Sequence, residues 1–241
     1  MPRPPLPLLT GLTAATTLAL AAVCLAPVAA AGTVVADYRI DEGPAAATML
    51  DSSGSGNNGT ITGTVDTTVV GRTGLPGDFA YGFGPGGIVK VADSATLNPG
   101  SMPISIDLWI KAAGPVGDWN MIQKGLSTTA GGQYKVEIRP KLSGTQGVPA
   151  CTFHGVTAAG AAKASLVGTK NVVDGSWHEV TCRYDGARVT ESVDGTVDRS
   201  KSAAVGTISN SAVLAIGAKP SQVVGDDQYV GYVDDVAITI G

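Results

Sequence analysis

Short runs in which hydrophobic and polar residues alternate recur along most of the chain, between clusters of Gly, Asp, Asn and Pro. In residues 104–111, Ile or Leu stands at every second position, with Ser, Asp, Trp and Lys between them. Successive side chains of a β-strand point to opposite faces, so this spacing predicts strands with one buried face. No run of about twelve residues carries the apolar spacing of three and four that an amphipathic helix needs. The pattern predicts an all-β protein, an antiparallel two-sheet sandwich or jelly roll.

Residues 177–195 carry the strongest turn signals in the chain. Asp185-Gly186 lies between two alternating runs, and a second Asp-Gly pair follows at 194–195. An Asp-Gly pair between such runs predicts a tight hairpin, because glycine accepts the positive φ that the turn requires. We expect Trp177, at the start of the first run, to lie in the core.

The first 31 residues have the composition of a secretory signal peptide. Arg3 provides a positive charge, an apolar run follows from about residue 6 to residue 25, and alanines crowd at 29–31. A membrane anchor that stays attached is the alternative, but threonines interrupt the run and no basic cluster follows it. We therefore predict a signal peptide over residues 1–31, secretion, and one mature domain over residues 32–241.

The charge of the chain is weakly acidic and scattered. It has 16 basic and 20 acidic residues. The predicted leader contains one arginine and no acid, so the mature domain would carry 15 basic residues against 20 acidic ones, a net charge of −5. Such a balance argues against binding to nucleic acid or to an anionic membrane surface.

Two cysteines remain after the predicted cleavage, Cys151 and Cys182. Each shares the apolar face of an alternating run, and a secreted protein folds in an oxidising space. We therefore predict a disulfide between them, with two buried thiols as the alternative.

Five stretches, in the expected order, resemble the laminin G-like domains of the concanavalin A-like lectin/glucanase superfamily. The hairpin WHEVTCRYDGARVTESVDG is similar to the family's WHHVAVTYDG…LYVDG, and ADYRIDEG with LDSSGSGNNGTI is similar to its opening. SIDLWIK, VLAIG and the closing GYVDDVAITI resemble three further strands of the family. The resemblance implies a concanavalin A-like jelly roll in which the first strand pairs with the last.

A calcium ion is a further expectation from this resemblance, because such sandwiches often hold one near the first and last strands. Asp234 has the sequence parity of Val236, so we expect its carboxylate to point inward, where it would need a basic partner, loop amides or a metal. The loop from Asp51, which includes Asn57, is rich in the oxygen ligands that calcium prefers. The expected ligands are Asp234, Asp51, Asn57 and Asp41. The alternative for the loop is an Asx-type turn with solvated side chains.

The main candidates for ligand binding are Trp119, Asp118, Trp109 and Glu191, and further aromatic candidates are Tyr81, Tyr229 and Tyr232. Trp119, beside Asp118, is the best candidate for an exposed aromatic platform. Trp109 faces away from the apolar stripe of its run, and packing is the alternative role for it. Glu191 stands inward in the second arm of the hairpin, where either it faces a ligand or the strand is locally exposed or twisted. An inward Glu191 would need a partner, and the nearby arginines at 183 and 188 are candidates.

The sequence carries no recognisable catalytic motif. It contains no Glu-x-Asp-x-x-Glu pattern, which would supply the two carboxylates of a glycoside hydrolase, and no Gly-x-Ser-x-Gly or His-Glu-x-x-His. We therefore predict a secreted, monomeric, non-catalytic module that binds a carbohydrate or cell-surface ligand, with a structural calcium ion. An adhesive protein-binding domain and a hydrolase or lyase with an unfamiliar site are the alternatives.

Overall fold

A computed structural model describes residues 1–2, 32–221 and 223–241. The predicted signal peptide lies outside the described residues except for its first two positions, so cleavage and secretion stay predictions. No helix within the described ranges is long and apolar enough to cross a membrane.

The described part of the chain contains sixteen strands and two short 3-10 turns, joined by loops. In chain order the strands are β1 (Thr33–Tyr38), β2 (Thr48–Met49), β3 (Gly59–Thr62), β4 (Val65–Val70), β5 (Phe79–Phe83), β6 (Ile88–Val91), β7 (Ile104–Lys111), β8 (Trp119–Lys124), β9 (Gln133–Lys141), β10 (Gln146–Thr157), β11 (Gly160–Val167), β12 (Trp177–Tyr184), β13 (Arg188–Val193), β14 (Thr196–Ser202), β15 (Leu214–Ile216) and β16 (Gly231–Ile240). The 3-10 turns are Ala95–Leu97 and Leu142–Gly144.

The strands form two antiparallel sheets of eight strands each, which confirms the predicted fold class. Sheet A has the order β14-β13-β12-β7-β16-β5-β4, and β1 also pairs with β16. Sheet B has the order β11-β10-β9-β8-β15-β6-β3-β2. The first and last strands are paired as the resemblance implies, with Tyr38 opposite Val236.

The core lies between the sheets and is built by the two-residue alternation. Along β7 the residues Ile104, Ile106, Leu108 and Ile110 are buried, and the residues between them are half-buried on the outer side. The hairpin of β12 and β13 forms as predicted. The turn that follows β13 has positive φ at both Asp194 and Gly195, as a two-residue hairpin turn requires.

A disulfide between Cys151 and Cys182 joins the two sheets, which confirms that prediction. It links β10 of sheet B to β12 of sheet A, with a Cα–Cα distance of 5.6 Å. The bond closes a loop with a sequence separation of 31 residues. A loop of this length corresponds to about 3.5 kcal/mol of stabilisation in the chain-entropy model.

Candidate ligand-binding face

The outer face of sheet A carries a row of side chains at the end where β7 finishes and β12 and β16 begin. Pairing across five neighbouring strands aligns Trp177, Lys111, Tyr232, Gly82 and Asp66 in that order. Directly paired residues of an antiparallel sheet point to the same side. We call these five residues the aromatic row.

A cavity of about 420 Å³ lies over this row. Its lining includes Asp66, Gly82, Lys111 and Tyr232 of the row, and the loop residue Gly175. Tyr232 is 39% exposed, so part of its ring is available to a ligand. A shallow site with an aromatic ring and a few polar groups is the kind of surface that binds small polar ligands.

Two glycines allow the row to form. At Gly82, a Cβ atom would lie 3.3 Å from ring carbons of Tyr232, so glycine lets the ring lie close over β5. At Gly231, a Cβ atom would lie 2.6 Å from the hydroxyl oxygen of Tyr229. That hydroxyl lies 3.2 Å from the carbonyl oxygen of Lys111 and 3.1 Å from that of Tyr232. Tyr229 thereby ties β7 to β16 beneath the cavity.

The row contains one cation and one anion. Among the described residues, no carboxylate lies within 4.0 Å of the Lys111 ammonium. One oxygen of Asp66 accepts hydrogen bonds from the Thr68 backbone N–H (2.8 Å) and hydroxyl (2.7 Å), which lower the pKa of Asp66. The Lys111 ammonium is therefore free to pair with a charge on a ligand.

Trp109 lies on the same outer face, one step further along β7. Its indole ring contacts the Arg72 guanidinium, which lies 4.7 Å from the ring centroid. Arg72 also forms an ion pair with Asp235, with 2.6 Å between its Nε and a carboxylate oxygen. This arrangement matches the packing role that the sequence left open for Trp109, because the ring serves as the support for Arg72.

Asp234 is buried, but the expected direction of its side chain is wrong. A β-bulge interrupts the pairing of β16 with β7 between Asp234 and Val236, and the intervening Asp235 has a φ of 40°. Asp234 therefore pairs with Trp109 on the outer face, while Val236 faces the core. The Arg72 backbone N–H donates to Asp234 at 2.8 Å. Burial raises the pKa of Asp234 to about 7, with a further contribution from the charge of Asp235.

The other expected calcium ligands, Asp51, Asn57 and Asp41, form hydrogen bonds within the protein, and Asp51 and Asp41 accept from different segments of the backbone. One oxygen of Asp51 accepts from the N–H groups of Asp37 (3.0 Å) and Ser53 (2.9 Å), and the other accepts from the Asn57 N–H (2.8 Å). This is the Asx-type turn that the sequence offered as the alternative. Asp41 accepts from the backbone N–H of residue 79 at 3.1 Å.

These placements do not fit a calcium ion shared by the four expected ligands, since calcium takes six to eight oxygens at one point. The Asn57 side-chain amide donates to the Val35 carbonyl and to Thr96, and Asp234 is held by Arg72 on the outer face of sheet A. In the part of the chain that the structure describes, no three Asp, Glu, His or Cys side chains are grouped so that they could hold a metal. The calcium ion stays a prediction.

Trp119 is not exposed, so the expected platform at this position is wrong. Only 7% of the residue is accessible, and its ring packs edge-on against Tyr229 at 5.8 Å between centroids. Trp119 pairs with the buried Ile138, because a bulge between Asn120 and Ile122 reverses the side that the regular alternation of β8 would give it. Asp118 is exposed and lies 3.5 Å from Arg139. Through Tyr229, Trp119 supports the floor of the cavity from inside.

Glu191 points inward and is fully buried, so the alternative of a locally exposed strand is wrong. Neither suggested arginine pairs with it, and Arg188 instead donates to Ser200 at 2.7 Å. The neighbour of Glu191 is another acid, Asp198. This position is not part of the aromatic row.

The sequence patterns missed four members of the row, all except Tyr232. Trp177 was expected in the core, but it is half-buried and pairs with Lys111 on the outer face of sheet A. Lys111 and Asp66 carry no local signal that distinguishes them from other polar residues of alternating strands. Only the register among five strands brings them together, and that register cannot be read from the spacing within any single strand.

The two facing antiparallel sheets and the paired terminal strands define a β-sandwich of the jelly-roll class. A family model described as the concanavalin A-like lectin/glucanases superfamily matches residues 83–239, more than half of the chain. The chain therefore belongs to the laminin G branch of that superfamily, as the resemblance of its motifs implied. No curated protein sequence matches the chain.

Several solved structures share this fold. Domain 4 of AbnA, a GH43 extracellular arabinanase from Geobacillus stearothermophilus solved in complex with arabinotriose, is 17% identical with a TM-score of 0.59; the alignment covers 88% of this chain and 94% of that one. The binding domain of Paraclostridial Mosquitocidal Protein 1 is 13% identical, with a TM-score of 0.60 and coverage of 86% and 48%. A botulinum neurotoxin type C structure, from work on cell entry through two ganglioside molecules, is 14% identical with a TM-score of 0.59 and the same coverage. The chain spans about half the length of these toxin chains.

Proposed function

We propose that the protein is a secreted, non-catalytic carbohydrate-binding module whose ligand lies over the aromatic row. The observation that carries this proposal is the partly exposed Tyr232 ring, which lies over Gly82 and borders the cavity. Sugar rings present apolar C–H faces and polar edges, so an aromatic ring with polar groups beside it complements them. The arabinotriose in one related structure and the gangliosides named for another support carbohydrate as the ligand class.

The length of the row suits a short oligosaccharide that crosses the strands. From Trp177 on β12 to Asp66 on β4 there are four strand intervals, and at about 4.8 Å each they span about 19 Å. Tyr232 lies near the centre of this span, with Lys111 on one side and Asp66 on the other. The unpaired Lys111 ammonium favours a glycan that carries a carboxylate.

The carboxylates around the cavity favour binding over hydrolysis. Of the described residues that line it, Asp66 alone carries a carboxylate. Glycoside hydrolysis generally needs two carboxyl groups about 5 to 10 Å apart on either side of the scissile bond. The proposal is therefore a module that holds its ligand without cleaving it.

Binding of glycans to the secreted protein tests this proposal. The full chain should be expressed with its own leader and recovered from the culture medium, where N-terminal sequencing shows whether residues 1–31 have been removed. A panel of neutral and acidic oligosaccharides is then titrated by calorimetry. We expect binding that is lost on Tyr232→Ala and no release of shorter sugars. Absence of binding by every glycan at millimolar concentration would overturn the proposal and favour a protein ligand.

A further inference from the structure

Two carboxyl groups meet in a buried position near the disulfide, away from the aromatic row. Glu191 on β13 pairs with Cys182, so its side chain points into the sandwich, and none of it is accessible. In the described part of the chain, neither of its carboxyl oxygens receives a hydrogen bond from a donor. A buried ionised carboxylate without donors would cost several kcal/mol.

A β-bulge brings Asp198 to this position. The pairing of β13 with β14 passes from Glu191 opposite Arg199 to Ser192 opposite Val197, which leaves Asp198 as the extra residue. Bulges change the direction of a side chain relative to the regular alternation. The Asp198 carboxylate is thereby turned toward Glu191.

Gly168 lets the two carboxyl groups approach the backbone. A Cβ atom at this position would lie 2.7 Å from a carboxyl oxygen of Glu191 and 2.9 Å from one of Asp198. Any other residue here would push the two acids away. The glycine therefore makes room for both carboxyl groups against the first residue of the segment that joins β11 to β12.

Asp198 holds that segment through three hydrogen bonds. It accepts from the backbone N–H and the hydroxyl of Thr169, and from the Lys170 N–H at 3.1 Å. Burial opposes ionisation, but these donors lower the pKa of Asp198 to about 2. Asp198 is therefore ionised at any ordinary pH, and Glu191 has an anion as its neighbour.

We propose that Glu191 carries a proton that it shares with Asp198, and that this pair is a pH-operated latch for the segment 168–176. Burial and the charge of Asp198 raise the pKa of Glu191 to about 8, while the positive charges of Lys170 and Arg199 act in the opposite direction. In the protonated state Glu191 donates to Asp198, so the two carboxyl groups attract each other and Asp198 stays in position to accept from Thr169 and Lys170. Once Glu191 ionises, the two carboxylates repel each other and the segment is released.

The latch reaches the ligand-binding face through the same segment. Gly175 lies near its other end, donates to the Ala112 carbonyl at 2.8 Å and lines the cavity.

Glu191 has an ordinary pKa of 4.5 and a folded-state value of about 8, so between these values the folded protein holds a proton that the unfolded chain has lost. Stability therefore falls as pH rises through this window and levels off above about pH 8. The latch does not depend on carbohydrate being the ligand.

Hydrogen exchange of the Thr169 and Lys170 amides tests the latch. Exchange of the secreted protein is followed by mass spectrometry from pH 6 to pH 9.5 and corrected for the intrinsic rate of each pH. We expect protection to fall about tenfold across pH 8 in the wild-type protein. Glu191→Gln should keep the segment protected throughout, because the glutamine amide donates to Asp198 at every pH. Glu179→Gln, at a half-buried glutamate on the neighbouring strand, is the matched control and should behave as wild type.

If Glu191→Gln fails to fold, a pH titration of Glu191 in the wild-type protein tests the latch without any variant. The carbon-13 shift of the Glu191 carboxyl group, followed by NMR, should change near pH 8. A change near the ordinary value of 4.5, or equal exchange profiles for the wild type and Glu191→Gln, would overturn the latch.

Discussion

The outer faces of the two sheets are built by the same alternation but differ in chemistry. Sheet A presents the aromatic row, with Tyr232 and Trp177 on either side of Lys111. A row across sheet B aligns Lys90, Ala215, Gln123, Lys135 and Thr152. Among the described strands of sheet B, each Trp, Tyr and Phe (Trp119, Tyr134 and Phe153) is buried in the core.

This difference identifies the face that can stack against a sugar. In the row on sheet B, Ala215, Gln123 and Thr152 are buried, whereas Tyr232 in the row on sheet A is 39% exposed. An aromatic ring on an outer face exposes apolar surface to water, which is unfavourable. A ligand that binds over the ring removes this surface from water. The contrast predicts that changes on sheet A alter binding, whereas equivalent changes on sheet B do not.

Removal of the disulfide should have the largest effect, and it should act on both faces alike. Because the Cys151–Cys182 bond joins the sheets, the double variant Cys151→Ala/Cys182→Ala should lose about 3.5 kcal/mol of unfolding free energy. For a domain of this size, that corresponds to a fall in Tm of about 7 to 14 °C. Calorimetric melting measures the loss. Ligand affinity measured well below the lower Tm should be unchanged, since the bond lies outside the aromatic row.

A fall in Tm accompanied by loss of ligand binding would mean that the two sheets shape the site together. The wild-type protein, reduced with dithiothreitol, is the control, and it should melt like the double variant. A reduced protein that melts like the oxidised one would contradict the stabilising role of the bond.

Much of this fold follows from local patterns. Two-residue alternation predicts β7 and the β12–β13 hairpin, because a strand's two faces repeat with that period whatever its neighbours do. The same pattern placed Cys151 and Cys182 on buried faces, so their pairing was predictable. By contrast, β14 (Thr196–Ser202) is almost entirely exposed at the edge of sheet A and carries no apolar alternation to reveal it.

The site was less predictable because it depends on register and bulges. The bulge at Asp235 reverses the side of Asp234, and nothing in the residue types around it marks the extra residue. Trp119 was expected outside because Asp118 and Asn120 flank it, yet a bulge between Asn120 and Ile122 places it opposite the inward-facing Ile138. Tyr232 was one tyrosine among several candidates, and only its place opposite Lys111 and Gly82 distinguishes it.

Tyr232→Ala should have the second largest effect and should act on binding alone. Loss of the ring should weaken oligosaccharide binding about tenfold, or about 1.4 kcal/mol, while Tyr232→Phe should bind nearly as well because the stacking surface remains. Titration calorimetry measures both. The matched change on the other face is Lys90→Ala, at an exposed position of β6, which should leave affinity unchanged. A stronger effect from Lys90→Ala than from Tyr232→Ala would assign the ligand to sheet B.

Lys111→Met should have the smallest effect and should discriminate between ligands. Methionine keeps most of the apolar stem and removes the charge, so packing beside Tyr232 is retained. Because no described carboxylate pairs with Lys111, its charge is available to the ligand. We expect affinity for uronate-containing oligosaccharides to fall about three- to tenfold at low salt, and affinity for neutral ones to stay the same.

Measurements at different salt concentrations distinguish the loss of the Lys111 charge from a change in packing beside Tyr232. Surface charge pairs are screened at high ionic strength, so at about 1 M salt the wild type and Lys111→Met should bind the acidic glycan equally. Lys90→Met is the matched change on sheet B and should bind like the wild type at every salt concentration. Equal losses for neutral and acidic glycans in Lys111→Met would show that Lys111 acts through packing, and the ligand would then be a neutral sugar held by Tyr232.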